Sequence, residues 1–194
     1  MNNLEDILEK AKSHYKKKID LRVFSAEKIP AKDNSQDIVI LFEAIYYLKN
    51  RDIFISECNR VLKKGGKVLI CSANKDLYDF NPSPYTHRYY NLPELKELFE
   101  KNGFLVEGFV SHAVNKVNLR QKILRPIKKI VVSLGLMPKS MKGKKFLKKI
   151  VFGKMLKMPS EIADNIFSEV NIEPASLIEK NRTHKVLYVC STKK

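Results

Sequence analysis

Between Gly108 and Ser160 this chain of 194 residues has no aspartate and no glutamate, against fourteen lysines and arginines. Over the whole length 37 Lys+Arg face 21 Asp+Glu, a formal charge of +16, so the rest of the chain is nearly balanced. The imbalance is therefore one basic insertion in a near-neutral domain, and it localises any anionic partner. Cysteine is scarce as well. Cys58, Cys71 and Cys190 lie far apart and form no C-x-x-C, which fits core thiols in a reducing cytosol rather than a redox or metal motif. No apolar run approaches the roughly 20 residues that span a bilayer. The opening MNNLEDILEKAK has no apolar signal-peptide region. Repeats and low-complexity tracts are missing too. What these absences leave is one folded cytoplasmic domain with an ordinary apolar fraction of 44%.

What is present is organised around Asp37 to Asn74, DIVILFEAIYYLKNRDIFISECNRVLKKGGKVLICSAN. Ile38 to Phe42 is an unbroken apolar, β-branched run, the pattern of a strand buried on both faces of a parallel sheet. Asp52 to Leu62 sets Ile53, Phe54, Val61 and Leu62 among charges, a helix packed on that sheet. Gly65-Gly66 supplies a tight turn, and Lys67 to Ser72 is a second buried strand. Strand, helix and strand make one βαβ unit with a right-handed crossover.

The series AEKIP, then DIVILFEAIYYL, then ECNRVLKKGGKVLICSAN resembles the middle of a class I S-adenosylmethionine-dependent methyltransferase of the methyltransferase-11 kind. That family shows DAExLPF, SFDVVxxxExxxHL and RVLKPGGxLxxSxPN in the same order, and the resemblance runs from about Lys10 to Phe109. It implies an α/β fold, a Rossmann-like sheet that is mostly parallel with an antiparallel last strand. His184 to Cys190, HKVLYVC, suits that last strand, which in the family often sits between its neighbours. The family's glycine-rich loop and ribose-binding acid have no counterpart in these 194 residues. The resemblance therefore implies a truncated sheet, with S-adenosylmethionine as a cofactor bound weakly or not at all.

Carried over position by position, the resemblance marks Ser25, Ala26, Glu27, Phe42 and Glu43 as cofactor contacts. Ser25 stands where the family has its adenine-binding aspartate, and Ala26 still offers a backbone N–H. Glu43, directly after five apolar residues, falls at the carboxyl end of the central strand, where open α/β sheets place their ligands. After the second strand comes NKDLYDFNPSPYTHRYYNLPEL, whose prolines prevent regular structure and whose aromatics crowd together, the natural lid of a pocket. Tyr47, Arg88 and Tyr90 are candidates for the acceptor, with Arg88 an anion or carboxylate contact. His87 is the candidate general base. No metal set is expected.

Elsewhere the pattern predicts a helix from Asn3 to Tyr15, a strand over Ile19 to Phe24, a helix over Leu92 to Lys101 and a strand over Phe104 to Val110. Residues 1–111 and 183–194 are assigned to the α/β domain, and 112–182 to the basic insertion. Within the insertion Val117 to Leu134 and Met141 to Met158 read as two basic amphipathic helices. They suit a helical cap, an anionic membrane surface, or less well a nucleic acid, since no aromatic interleaving accompanies the lysines. Two functions follow. One is methyl transfer to a small or lipid-linked acceptor, for instance in surface-glycan assembly; the other is a non-catalytic remnant acting as a partner or membrane-bound subunit. Loss of neighbours for Ile38 to Phe42 would open an apolar edge. The expectation is that Ile19 to Phe24 moves in beside it or that two chains pair there as a homodimer.

Overall fold

A computed structural model describes residues 4–15, 19–78, 80–114 and 170–194, with isolated positions between 126 and 143. Among these, α1 is Leu4–Tyr15, β1 is Gln36–Phe42, α2 is Arg51–Val61 and β2 is Leu62–Ala73. They are followed by α3 (Leu92–Glu100), β3 (Phe104–Ala113), β4 (Ile172–Pro174) and β5 (His184–Lys193). The five strands form one sheet in the order β1-β2-β5-β3-β4. β1 and β2 are parallel, with Ile38 beside Lys67 and Phe42 beside Cys71. β5 lies antiparallel between β2 and β3, pairing Cys71 with Tyr188 on one side and Phe109 with Tyr188 on the other. The family's inserted antiparallel strand is thus present, and β1, β2 and β3 share one direction.

That order decides where the core sits. The chain advances from β1 through α2 to β2, and from β2 through α3 to β3, in one direction across the sheet. Two right-handed crossovers made in one direction put both helices on one face. Phe54, Ile55, Cys58 and Val61 of α2, with Leu95, Leu98 and Phe99 of α3, are all buried there. They pack on Val68, Ile70, Leu187 and Val189, and Phe99 meets Phe104 edge-on at 5.7 Å. α3 starts from a capping box in which Asn91 accepts from the Glu94 N–H and Glu94 accepts from the Asn91 N–H.

Three expectations need correction. β1 is not buried on both faces: Ile38, Ile40 and Phe42 are 53%, 59% and 57% exposed. Both crossover helices lie on the Val39 and Leu41 side, and no described element covers the other. Ile19 to Phe24 forms no strand. Val23 and Phe24 are each 53% exposed, and β1 keeps β2 as its one described neighbour. The glycine pair is not a simple turn either. β2 already begins at Leu62, and the register slips between Gln36 and Ile38. Gly65 takes up the bend at φ +77°, while a Cβ on Gly66 would stand 2.9 Å from the Lys63 carbonyl oxygen.

Ile172–Pro174, inside the stretch assigned to the insertion, adds an edge strand to β3, where a proline at the strand end loses no ladder bond. The Asn3 cap and the two amphipathic segments of the insertion lie outside the described residues. No helix among the described residues is long and apolar enough to cross a membrane.

Two polar clasps fix the parts around the sheet. Arg60 forks onto Glu57 at 2.7 and 2.8 Å, and reaches the carbonyls of Ile29 and Ala31 and the Asp33 carboxylate. Glu57 also accepts from the Ile29 N–H at 2.9 Å. The residues after Ser25 are thereby tied to α2. At the other end Lys193 donates to the carbonyls of Asn59 and Leu62 at 2.6 and 2.8 Å, satisfying the carboxyl end of α2 from the last strand.

Candidate functional site

The site is built at the carboxyl ends of β1 and β2. Glu43 follows β1 with φ +52°, a left-handed conformation that a glutamate adopts at a cost. Its N–H still donates to the Cys71 carbonyl at 2.8 Å, so the sheet holds the strained residue in place. The carboxylate then meets Tyr46, whose hydroxyl donates at 2.6 Å, and the Cys71 thiol at 3.7 Å. Burial and the adjacent carboxylate push the Tyr46 hydroxyl well above the ordinary phenol range. Burial, followed by Glu43, pushes the Cys71 thiol up to about 11. Tyr46 is therefore a neutral hydrogen-bond donor, and Cys71 is no nucleophile at neutral pH.

Aromatic rings wall the space beside this pair. Tyr46 stacks on Tyr89 at 4.6 Å and meets Tyr47 at 4.7 Å, and Phe80 stands edge-on to Tyr89. The segment after β2 is pinned over the turn Ile45–Tyr47 by its backbone. The N–H groups of His87 and Arg88 both point to the Tyr46 carbonyl, at 2.8 and 3.4 Å. A loop that reads in sequence as a lid is thus stitched to the strand end through its main chain. Its start is fixed by Asn74, whose side chain donates to the carbonyls of Asn181 and His184.

The residues marked from sequence divide into groups. Glu43, Tyr47 and the His87–Tyr90 segment come together around Tyr46. Phe42 ends β1 with its ring on the uncovered face. Ser25 accepts from the Glu27 N–H, and Ala26 packs against the core. Glu27 accepts from the Asn50 N–H and side chain at 3.2 and 3.4 Å, so its carboxylate serves the start of α2. The hydrogen bonds of this loop run to α2, not to Glu43. His87 is exposed, and its backbone N–H makes the contact with the turn.

Tyr46 and Tyr89 organise the site, yet they are not among the residues singled out. The Tyr46-Tyr47 doublet and the aromatic density after Asn74 were the available signals. Arg51 escapes the sequence entirely. A groove of about 170 Å³ opens between the start of α2 and the length of α3, with three cations (Arg51, Arg88, Lys101) and three carboxylates (Asp52, Glu94, Glu97) beside Tyr90. The Arg51 and Arg88 guanidinium groups sit 5.9 and 5.2 Å from the Tyr90 ring centre. Glu94 contacts Lys75 at 2.6 Å and Arg88 at 3.1 Å. Partial burial favours its neutral form, but the two cations and the Asn91 N–H outweigh this and hold the carboxyl below its usual range. The Tyr90 hydroxyl and one Asp76 carboxylate oxygen are buried without a partner among the described residues.

Comparison with known proteins places this geometry. Residues 2–70 match a family described as "Methyltransferase domain". A probable S-adenosylmethionine-dependent methyltransferase of Mycolicibacterium smegmatis is 36% identical over 94 residues, 46% of this chain and 37% of that protein. The chain thus spans little more than a third of the curated relatives it matches. Among solved structures, the YcgJ protein of Bacillus subtilis superposes on 98% of this chain and 79% of its own, with a TM-score of 0.55 and 16% identity. A SAM-dependent methyltransferase from Archaeoglobus fulgidus gives the same TM-score at 14% identity, over 97% of this chain and 72% of its own.

Proposed function

We propose that this chain, which belongs to the class I S-adenosylmethionine-dependent methyltransferases, positions a small or lipid-linked acceptor against the cofactor's methyl group at the Glu43–Tyr46 end of its sheet. The observation that carries this reading is the left-handed Glu43. A strained backbone is kept at the ligand edge of a parallel pair, and its carboxylate is oriented by a buried tyrosine. Strain of that kind persists where the surroundings over-determine it, and here ladder bond, hydroxyl and thiol all do so.

The residues present fit S-adenosylmethionine in part. Phe42 offers an exposed aromatic ring and Glu43 a carboxylate at the same strand end, which together suit a flat base and a cationic sulfur-bearing tail. Phe42, Glu43 and the Ser25–Ala26 loop would hold it; Glu27 is occupied by Asn50. When bound, the cofactor supplies an electrophilic methyl group. The protein's share is orientation, which alone accounts for much of the rate in a displacement of this type. Tyr46, Tyr47 and Tyr89 form the wall that aligns the acceptor. Glu43 is near enough to Tyr46 to hold a proton released as the acceptor is alkylated, and the exposed His87 can pass one to solvent. A surface-glycan intermediate is the acceptor class that the sequence resemblance favours.

The test is cofactor binding by this chain and by Glu43→Ala, read by ligand-observed NMR. A micromolar site corresponds to about −8 kcal/mol, and Phe42, Glu43 and Ala26 reach a fraction of such a ligand. These 194 residues by themselves are expected to bind in the millimolar range. Glu43→Ala should weaken binding by about tenfold more, the loss of one hydrogen bond to a charged group. Binding that is indifferent to Glu43→Ala removes the reading.

A further inference from the structure

The methyl-transfer reading uses none of the fourteen lysines and arginines between Gly108 and Ser160. All of them fall between Lys116 and Lys157, and no aspartate or glutamate lies among them. Charge of one sign over such a length repels itself unless an anionic partner answers it. The stretch is attached at a defined place. β3 ends at Ala113, the Val114 N–H donates to the Thr183 carbonyl at 2.7 Å, and the chain returns in β4 with Ile172 beside Ser111. β3 shares its direction with β1, so the stretch joins the sheet on the edge that carries Glu43.

Charge alone does not choose the partner; the apolar residues do. The first basic segment as a whole lies outside the described residues, but single positions along it are placed. Pro126, Ile127, Ile130 and Val131 are helical, and the Leu134 N–H donates to the Ile130 carbonyl at 2.9 Å. Ile127, Ile130 and Leu134 follow one another at steps of three and four, so they share one side of that helix. They are 51%, 57% and 65% exposed, so the protein leaves that side open. By the same period Lys128 and Lys129 fall off the apolar side.

A soluble polyanion, nucleic acid included, would answer the lysines and leave these side chains in water. Aliphatic groups offer bases no aromatic platform on which to stack. A bilayer interface answers both features: anionic headgroups meet the cations while the aliphatic side enters the acyl boundary. We propose that the basic stretch, through its Ile127, Ile130 and Leu134 side, docks this chain on an anionic membrane surface. The docking stands without the methyl-transfer reading. Its corollary, an acceptor carried by lipid to the Glu43 edge, rests on that reading.

The experiment is co-sedimentation of the whole chain with vesicles, no cofactor being present. One set is phosphatidylcholine alone, and the other an equal mixture of phosphatidylcholine and phosphatidylserine. Binding should require phosphatidylserine and fall as salt is raised. Ile127→Ser with Ile130→Ser should lower the partition coefficient by about tenfold, through lost apolar burial at unchanged charge. Lys128→Gln with Lys129→Gln should also lower it by about tenfold. The melting temperature of the serine variant should match the parent, since both isoleucines are exposed. Lys63→Gln with Lys64→Gln removes two exposed charges from β2 and should leave binding unchanged. Equal losses in the two lysine variants would mean general attraction to a basic protein and would overturn the proposal. Equal binding to both vesicles, or to neither, would do the same. So would a lowered melting temperature in the serine variant, because the apolar side would then be packed against the protein. Duplex RNA that displaces the vesicles, bound equally well by the serine variant, would make nucleic acid the partner instead. Vesicle binding by a chain without Glu43-dependent cofactor binding would sink the methyl-transfer reading and leave the docking standing.

Discussion

The two faces of the sheet are made from similar residues and meet opposite fates. On one, Val68, Ile70, Leu187 and Val189 are 0–1% exposed beneath α2 and α3; on the other, Ile38, Ile40 and Phe42 are more than half exposed. Hydrophobicity does not distinguish them, since β1 is apolar at every position from Ile38 to Phe42. The difference comes from chain path. Two crossovers taken in the same direction across the sheet cover one face and leave the other to whatever else is supplied.

The sharpest way to break this comparison is to remove one ring from the covered face. Phe99→Ala empties a fully buried site between α3 and β3 and should cost about 3–5 kcal/mol in chemical denaturation. A cost under about 1 kcal/mol would mean that the covered face is not the core.

A smaller effect is expected at the clasp that ties the Ser25 loop to α2. The Arg60 fork, joined by the Ile29 N–H against an opposing contribution from burial, holds the Glu57 carboxyl down to about 2 from an ordinary 4.5. A carboxyl lowered on folding adds stability above its unfolded value and loses it as pH falls through its folded one. Its contribution should thus be complete above pH 4.5 and fade between 4.5 and 2. Glu57→Gln should lower stability by about 1–3 kcal/mol at neutral pH, and the gap to the parent should close as the solution is acidified. A gap that persists at the acid end would show that the side chain acts through packing instead.

The smallest change sharpens the other side of the comparison. Ile40→Ser should alter stability by less than about 0.5 kcal/mol if the second face is open to solvent. A loss of several times that size would show that something covers it in solution.

These contrasts also explain what could be read from sequence. The βαβ unit and both crossover helices were legible, because each is written locally in hydrophobic period and turn residues; the inserted place of β5 came from the family resemblance. Burial of β1 was misjudged because the pattern records that a face is apolar, not that a partner is available. Ile19 to Phe24 shows the same limit: strand propensity alone does not make a strand pair, and the open edge of β1 is left without it. The place of Glu43 at the carboxyl end of β1 was legible from the apolar run before it. Its strain, and the role of Tyr46 as its donor, were not, because both depend on Cys71 and on main-chain bonds from His87 and Arg88. The Arg51 groove was invisible for the same reason. Its members are separated by about forty positions and are brought together where the start of α2 meets the side of α3.

The position of β5 has a consequence for how the molecule comes into being. The strand at the middle of the sheet is drawn from residues 184–193, while its two neighbours are made far earlier. Until residues 184–193 have been made, β2 and β3 face each other across a gap one strand wide, each with a row of unmet backbone groups. The nascent chain can assemble the β1–α2–β2 unit as it emerges, but the two halves of the sheet cannot be joined before β5 exists. Closure is a long-range event that waits for β5, and contacts of such sequence separation form slowly. The same strand then locks the result, for Lys193 closes on the end of α2, the helix that formed first along the chain within the unit.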